Sequence, residues 1–385
     1  MKEMDALYFD HAATTPLHPD VAQTMSTALT ETFGNPSSIH QLGRQSRKVV
    51  DEARTVIAKS LSANDKDIIF TSGGTEADNL AIIGTALKYQ DKGKHIITSS
   101  IEHHAVLDSC HYLETLGFTV TYLPVDETGV VDVKDVKAAL TDDTILVSVM
   151  MVNNEVGTIQ PIKAIGELLE DHQALFHTDA VQAYGIMPLD VAALQVDLLT
   201  VTAHKVNGPK GIGALYKRQE VKLQPRFFGG DQERKRRSGT ENLSGIIGFK
   251  QAVELFLGEE LNRQAHYQQL KARFEQELTT IDNIVINGDE KKVSPLICNV
   301  SFLGTRIEQV LMNLDLDGVF VSSGSACTAG AMTSSHVLKA MYGEEDERTL
   351  SAIRFSFGLH HTEQAMIEVV ARVKKTIERL RTLAN

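Results

Sequence analysis

Cysteine is scarce in this chain: three in 385 residues, at positions 110, 298 and 327. Three scattered thiols build neither a disulfide framework nor a cysteine-rich zinc site, and a reducing cytoplasm is the expected setting. Positive charge is also short. Lys and Arg number 38 against 50 Asp and Glu, a net charge of −12. Such a chain is a poor general binder of nucleic acid, whose phosphates need clustered cations. The one basic cluster, Arg234-Lys235-Arg236-Arg237, reads as a solvated loop. No apolar run reaches membrane-spanning length, and the first ten residues lack the apolar core of a signal peptide. There is no internal repeat and no low-complexity tract.

What is present is ample apolar content, 42% of residues, enough for a large core and for two domains rather than one. Short apolar runs at 67–70, 95–98, 118–123, 144–150, 174–177, 198–201 and 213–216 read as strands. Segments of helical period lie between most of them, such as Val49, Val50, Ala53, Val56, Ile57 and Leu61. Strands buried on both faces and separated by helices predict an α/β layer with a mainly parallel sheet. Near residue 245 the pattern changes. Long helices are expected at 246–257 and 261–278, short strands at 298–302, 319–322 and 353–357, and a last amphipathic helix at 363–383. This reads as a second, smaller α+β domain.

Four places carry possible chemistry. Cys327 lies in Ser-Ser-Gly-Ser-Ala-Cys-Thr-Ala-Gly, among small residues that cannot bury it; it is an exposed turn cysteine or an accessible nucleophile. Lys205 ends an apolar strand before Gly-Pro-Lys-Gly; it either snorkels outward or, partly desolvated, forms a Schiff base. Asp179 ends another strand 26 residues earlier, as a helix cap or as the partner of a ring nitrogen at the same crevice. Thr71-Ser72-Gly73-Gly74-Thr75-Glu76 follows a strand and opens a helix, as ordinary capping or as a phosphate cradle. It is no Walker loop, because no Gly-Lys-Ser/Thr follows.

Further motifs join these: Tyr-Phe-Asp-His-Ala-Ala-Thr-Thr-Pro (8–16), Gly-Asn-Pro-Ser-Ser-Ile-His (34–40), Glu-His-His-Ala-Val-Leu (102–107), Val-Asn-Asn-Glu-Val-Gly (152–157), His-Thr-Asp-Ala-Val-Gln (177–182), Ala-His-Lys (203–205), Arg-Ser-Gly-Thr (237–240), Ser-Gly-Ser-Ala-Cys (323–327) and Arg-Phe-Ser-Phe-Gly (354–358). In this order, across essentially the whole chain, they resemble the cysteine desulfurases of the NifS/IscS type, fold-type I pyridoxal-phosphate enzymes of the class V aminotransferase family. The resemblance implies a large cofactor-binding domain over 17–258, with a mainly parallel seven-stranded sheet flanked by helices. It implies a smaller α+β domain from 1–16 and 259–385 that carries the cysteine loop.

The same resemblance implies the roles. Lys205 would hold pyridoxal 5'-phosphate, Asp179 would pair with its ring nitrogen, and Gln182 would donate to its phenolic oxygen. His103 would stack on the ring and move protons; no role falls to His104. Gly74, Thr75, Thr202 and His204 would hold the phosphate, with Thr240 from the partner of a homodimer. Asn154 and Arg354 would fix the carboxylate of L-cysteine, with Asn35 nearby. Cys327 would take the sulfur as a persulfide, leaving alanine, and pass it to an acceptor protein for iron–sulfur assembly or tRNA thiolation. The Cys327 to Val337 loop has the length found in relatives that hand sulfur on directly. No metal is expected. A selenocysteine lyase on the same cofactor is the nearest alternative, and a cofactor-free sulfur-carrier module a more distant one that Lys205 and Asp179 argue against. Two positions depart from the family pattern: Asp231 stands for a frequent third glycine, and Asn207 for an aromatic or histidine. The ending Arg-Thr-Leu-Ala-Asn lacks the Ser/Pro-rich tail that some relatives use to dock a scaffold.

Overall fold

A computed structural model describes residues 7–324 and 335–384. All seven strands expected in the first part form: β1 (Ile68–Thr71), β2 (His95–Ser99), β3 (Thr119–Leu123), β4 (Thr144–Ser148), β5 (Leu175–Asp179), β6 (Leu198–Thr202) and β7 (Gly213–Lys217). They make one sheet in the order β1-β7-β6-β5-β4-β2-β3. Only β7 runs against its neighbours; the pairings from β6 across to β3 are parallel.

Alternate residues of these strands face two cores. Phe70, Ile97, Val147, Phe176 and Leu199 enter one, together with the helices Gln41–Ser60 and Leu243–Phe256. Ile69, Ile96, Leu146, Leu175 and Leu198 enter the other, against Gly74–Tyr89 and His104–Thr115. Burial on both faces is why these strands read as unbroken apolar runs rather than alternating ones. Gly213 in β7 is required by a close approach: a Cβ there would stand 2.8 Å from the Val201 carbonyl oxygen and 2.9 Å from the Gly73 backbone. The turn that opens the helix Gly74–Tyr89 thus lies directly on the sheet.

The second sheet is antiparallel, in the order β10-β9-β8, from β8 (Ile284–Asn287), β9 (Ile297–Phe302) and β10 (Ala352–Ser356). Two expectations change here. Residues 319–322 form no strand. Phe320 bridges Tyr8 and Ser322 bridges Arg354, so this stretch meets a different segment at each contact and no ladder extends. The strand β8 was not expected. It is a half-exposed edge, with Ile286 facing outward, and has little hydrophobic pattern to mark it.

The N-terminal stretch crosses to this sheet. Leu7, Phe9 and Ala12 lie in its core beside Phe274, Phe355 and Phe357, and Asp10 bridges Ser356. Among the described residues no helix is long and apolar enough to cross a membrane.

Candidate active site

The site assembles at the carboxyl ends of β5 and β6, where open α/β sheets place their ligands. Asp179 closes β5 and is buried, its Oδ1 accepting the Val181 backbone N–H at 2.9 Å. Burial pushes its carboxyl up to about 6, against the opposing effects of the Val181 N–H and the Lys205 charge. Lys205 ends a short helical turn that follows β6. Its ammonium donates to the Ala12 carbonyl, and to the Ala13 carbonyl at 2.8 Å. The N-terminal stretch that joins the second sheet therefore meets the lysine directly.

The cradle stands opposite. The helix Gly74–Tyr89 has no side-chain N-cap, so the backbone N–H groups of its first turn keep capacity for an anion. Glu76 in that turn is held by the Ser72 N–H at 2.8 Å and by Arg237 at 2.8 Å. Burial opposes its ionisation, but these partners hold its carboxyl below the usual range. Thr202 donates to the Ile212 carbonyl at 3.2 Å, and His204 Nδ1 lies 3.2 Å from the Thr14 hydroxyl. Burial and the Lys205 charge lower the His204 imidazole to about 4.

His103 caps the helix His104–Thr115, with Nδ1 accepting the Ala105 N–H at 3.0 Å. Burial first, then Lys205, lowers it to about 4, so it stands neutral at pH 7, with Nδ1 on that N–H and its ring proton on Nε2. Gln182 donates one amide hydrogen to the Ala12 carbonyl at 2.9 Å; its buried Oε1 has no partner, and its second N–H remains to donate. Arg354 reaches in from β10. It donates to Asp10 Oδ1 at 2.7 Å and to the Asn154 carbonyl at 2.8 Å, while its buried Nε has no partner among the described residues. A carboxylate bound there would share the guanidinium with Asp10.

One cavity of about 290 Å³ is lined by Lys205, Asp179, Gln182, His103, Gly74 and Thr75. Thr202, His204, Asn154 and Arg354 complete its wall. Of the residues singled out in the sequence, Asn35 and Thr240 do not line it. Asn35 is exposed in a turn, accepting the Ser37 N–H at 2.8 Å. Thr240 lines a separate pocket with Ser72 and Arg237. Cys327 lies outside the described residues.

Asp78 also lines the cavity and was missed by sequence reasoning. It is buried, 3.6 Å from His177 Nε2. Burial, then the neighbouring Asp179, raises its carboxyl well above the usual range. The available signal was one acid amid the apolar run Ala77 to Ile83 of the cradle helix. His177 is itself buried, 2.8 Å from the Ser148 hydroxyl and 3.1 Å from that of Thr200.

Three histidines, His11, His360 and His361, come together behind the N-terminal stretch. His361 Nδ1 accepts the Gly358 N–H at 3.1 Å, so its neutral ring keeps its proton on Nε2. The group therefore lacks one of the lone pairs that a three-histidine metal site needs.

The whole arrangement has known counterparts. The chain is 54% identical over 378 residues to IscS 1 of Bacillus subtilis (strain 168), covering 98% of this chain and 100% of that one. It is 47% identical to the cysteine desulfurase IscS of Dictyoglomus turgidum, covering 98% and 96%. A solved NifS-like protein superposes with a TM-score of 0.91 at 34% identity, covering 97% and 100%. With residues 7–369 matching the aminotransferase class-V pattern, a lysine and an aspartate on adjacent strand ends, and a helix N-terminus facing them, the chain belongs to the class-V aminotransferase family.

Proposed function

We propose that this protein is a pyridoxal-phosphate-dependent cysteine desulfurase. L-Cysteine and the Cys327 thiol become L-alanine and a Cys327 persulfide. The substrate's C–S bond breaks, the S–S bond forms, and a proton replaces sulfur on the substrate's β-carbon. The observation that carries this reading is that Lys205 and Asp179 open into one cavity against a helix N-terminus.

The residues present fit the cofactor. An aldehyde, a basic ring nitrogen, a phenolic oxygen and a phosphate each find a complement in Lys205, Asp179, the spare Gln182 N–H, and the first turn at Gly74 and Thr75 with Thr202 and His204. When bound, the cofactor withdraws electrons from the substrate's α-carbon and so makes its sulfur a feasible leaving group. Asp179 holds negative charge where the ring nitrogen would lie. His103, beside Lys205, takes up a proton when its Nδ1 lets go of the Ala105 N–H, and its lowered pKa makes it return that proton readily. Arg354 and Asn154 orient the substrate carboxylate. Cys327 is the nucleophile that takes the sulfur, because a thiolate attacks sulfur readily.

The unit is divided as residues 17–258, and 1–16 with 259–385; the separate cores of the two sheets support this division. The working form is a cytoplasmic homodimer, in which Thr240 serves the partner's cavity. The exposed apolar side chains Phe33, Ile39 and Phe228 favour a covered face near them. The sulfur goes to an acceptor protein, in iron–sulfur cluster assembly or in tRNA thiolation.

The test is direct. The purified protein, given L-cysteine, should release alanine and gain one sulfur on the Cys327 peptide by mass spectrometry. Lys205→Ala should abolish both, and borohydride should no longer fix the cofactor to the protein. Alanine release at the native rate by Cys327→Ser would favour the lyase reading instead.

A further inference from the structure

Glu155 is buried, with no exposed side-chain surface, and none of the proposed steps uses it. Its surroundings are specific. Its Oε2 accepts the Ser335 hydroxyl. A Cβ built on Gly324 would stand 2.4 Å from the same oxygen, so the chain passes close against the carboxylate there and any side chain at 324 would have to displace it. Among the described residues its Oε1 has no hydrogen-bond partner, and the His336 ring stands beside it with Nδ1 at 3.9 Å. Gly324 and Ser335 are the residues on either side of the stretch that contains Cys327. One buried carboxylate therefore touches the described residues on both sides of the stretch that contains Cys327.

The contacts continue into the cavity. Glu155 belongs to the turn 153–156, whose bend is made by Asn153 Oδ1 accepting the Glu155 and Val156 N–H groups, each at 2.9 Å. The Asn154 carbonyl in that turn accepts Arg354 Nη1 at 2.8 Å, and the same nitrogen lies 3.4 Å from the Gly324 carbonyl. Ser322, two residues before Gly324, donates to Asp10 Oδ2 at 2.8 Å, and Asp10 holds Arg354 Nη2. On the other side, His336 Nε2 lies 2.9 Å from the Glu102 carbonyl, next to His103. The guanidinium proposed to hold the substrate and the two anchor points of the Cys327 stretch thus share one set of hydrogen bonds.

A buried carboxylate is costly to keep, and one with a bare oxygen more so. Ser335 already has a structural use as N-cap of the helix His336–Tyr342, accepting the Leu338 N–H at 3.1 Å. That cap alone needs no glutamate behind it. We propose that Glu155 is a positioning residue: by holding Ser335 and closely abutting Gly324, it sets the two anchor points of the Cys327 stretch relative to Arg354, and so sets where the thiol meets the substrate's sulfur. The inference rests on the desulfurase reading for its chemistry, but not for its geometry.

Glu155→Ala, Glu155→Gln and Gly324→Ala, each as holoenzyme, test it by two independent measurements. The first is amide hydrogen exchange over peptides spanning 320–340. The second is the rate of alanine formation across cysteine concentrations. Glu155→Ala should speed exchange over 320–340 and leave it unchanged at the cofactor strands. It should lower kcat by about tenfold or more while KM for cysteine stays within about threefold, because substrate is still bound and only the meeting of thiol and sulfur is lost. Glu155→Gln keeps an oxygen for the Ser335 hydroxyl and should retain most of kcat. Gly324→Ala, whose added methyl presses on the carboxylate and on Ser335, should reproduce the kcat defect. Native exchange over 320–340 in Glu155→Ala, native kcat in both alanine variants, or equal losses in the Gln and Ala variants would each overturn the proposal. If the native protein makes no alanine, the desulfurase reading fails, while the exchange measurement still decides whether Glu155 sets the anchor points.

Discussion

Arg54 and Glu233 form a bidentate pair with both nitrogen–oxygen distances at 2.7 Å, and each side chain is only 3% exposed. The pair is also tied to β1: Arg54 donates to the Ile68 carbonyl at 2.8 Å, and Glu233 accepts the Phe70 N–H at 3.1 Å. Glu233, Arg234 and Lys235 all have left-handed backbones, with φ of 46°, 57° and 66°. Three consecutive non-glycine residues there are strained, and the buried pair is what holds them. The basic cluster that reads as a solvated loop is therefore partly a structural clamp. Arg237, at its end, grips Glu76 on the cradle helix.

Removing one partner leaves a buried charge uncompensated. Glu233→Gln or Arg54→Ala should destabilise the protein by about 3–5 kcal/mol, read by urea denaturation. The double variant Arg54→Met/Glu233→Leu should lose less than either single change. A single variant within about 0.5 kcal/mol of the native protein would show that the pair holds nothing.

Glu102 gives a pH signature. Burial pushes its carboxyl up to about 8, although the Ser99 hydroxyl and the Met150 N–H favour its ionised form. The folded protein keeps a proton that the unfolded chain has lost, so this contribution is full below the ordinary carboxylate range and disappears as pH rises through 8. The slope is about 1.4 kcal/mol per pH unit for one proton. His103 and His177 act the other way. Burial lowers them to about 4 and about 3, so acidification below their ordinary 6.5 favours the unfolded chain. Stability should therefore fall on both sides of a maximum near neutrality. Glu102→Gln should flatten the fall between about pH 6.5 and 8 and steepen the acid side, where Glu102 opposes the histidines, as measured by denaturation across pH. An unchanged alkaline slope in that variant would assign the fall to another group.

Asp179→Asn keeps the size of the side chain and removes its charge. Cofactor affinity should weaken, and alanine formation should fall by about a hundredfold or more with cofactor saturating, because the ring nitrogen loses its anionic partner. Equilibrium dialysis and steady-state rates separate the two effects. Near-native turnover in the saturated variant would remove Asp179 from its proposed role.

The thiols should divide cleanly. Cys110 and Cys298 are buried, and burial pushes both up to about 12, so neither is a thiolate at pH 7. Iodoacetamide on the native protein should label Cys327 alone, and Cys327→Ser should take up none until it is unfolded. Labelling of Cys110 or Cys298 at a comparable rate would contradict the burial that keeps them inert.

Much of this protein was legible in its residues taken in order. Apolar runs bounded by glycine and polar residues mark strands whatever surrounds them, so all seven strands of the large sheet were readable. Strand-end positions made Asp179 and Lys205 visible, and Gly73-Gly74 opening a helix marked the cradle. These are local signals, because period, capping chemistry and turn residues act within a few positions of one another.

The remainder depends on residues far apart in the chain. That Ala12 and Ala13 would accept from the Lys205 ammonium and that Asp10 would share Arg354 follow from the N-terminal stretch joining the second sheet. That Glu155 would meet Gly324 and Ser335 follows from the 153–156 turn packing against a segment far along the chain. The absence of a strand at 319–322 has the same origin, since backbone pairing there is divided between Tyr8 and Arg354. Glu233 looks like an ordinary solvated acid in sequence, and Asp78 stands out only as one acid in an apolar run. Only packing against the sheet removes their water, and desolvation acts through space, without regard to sequence neighbours.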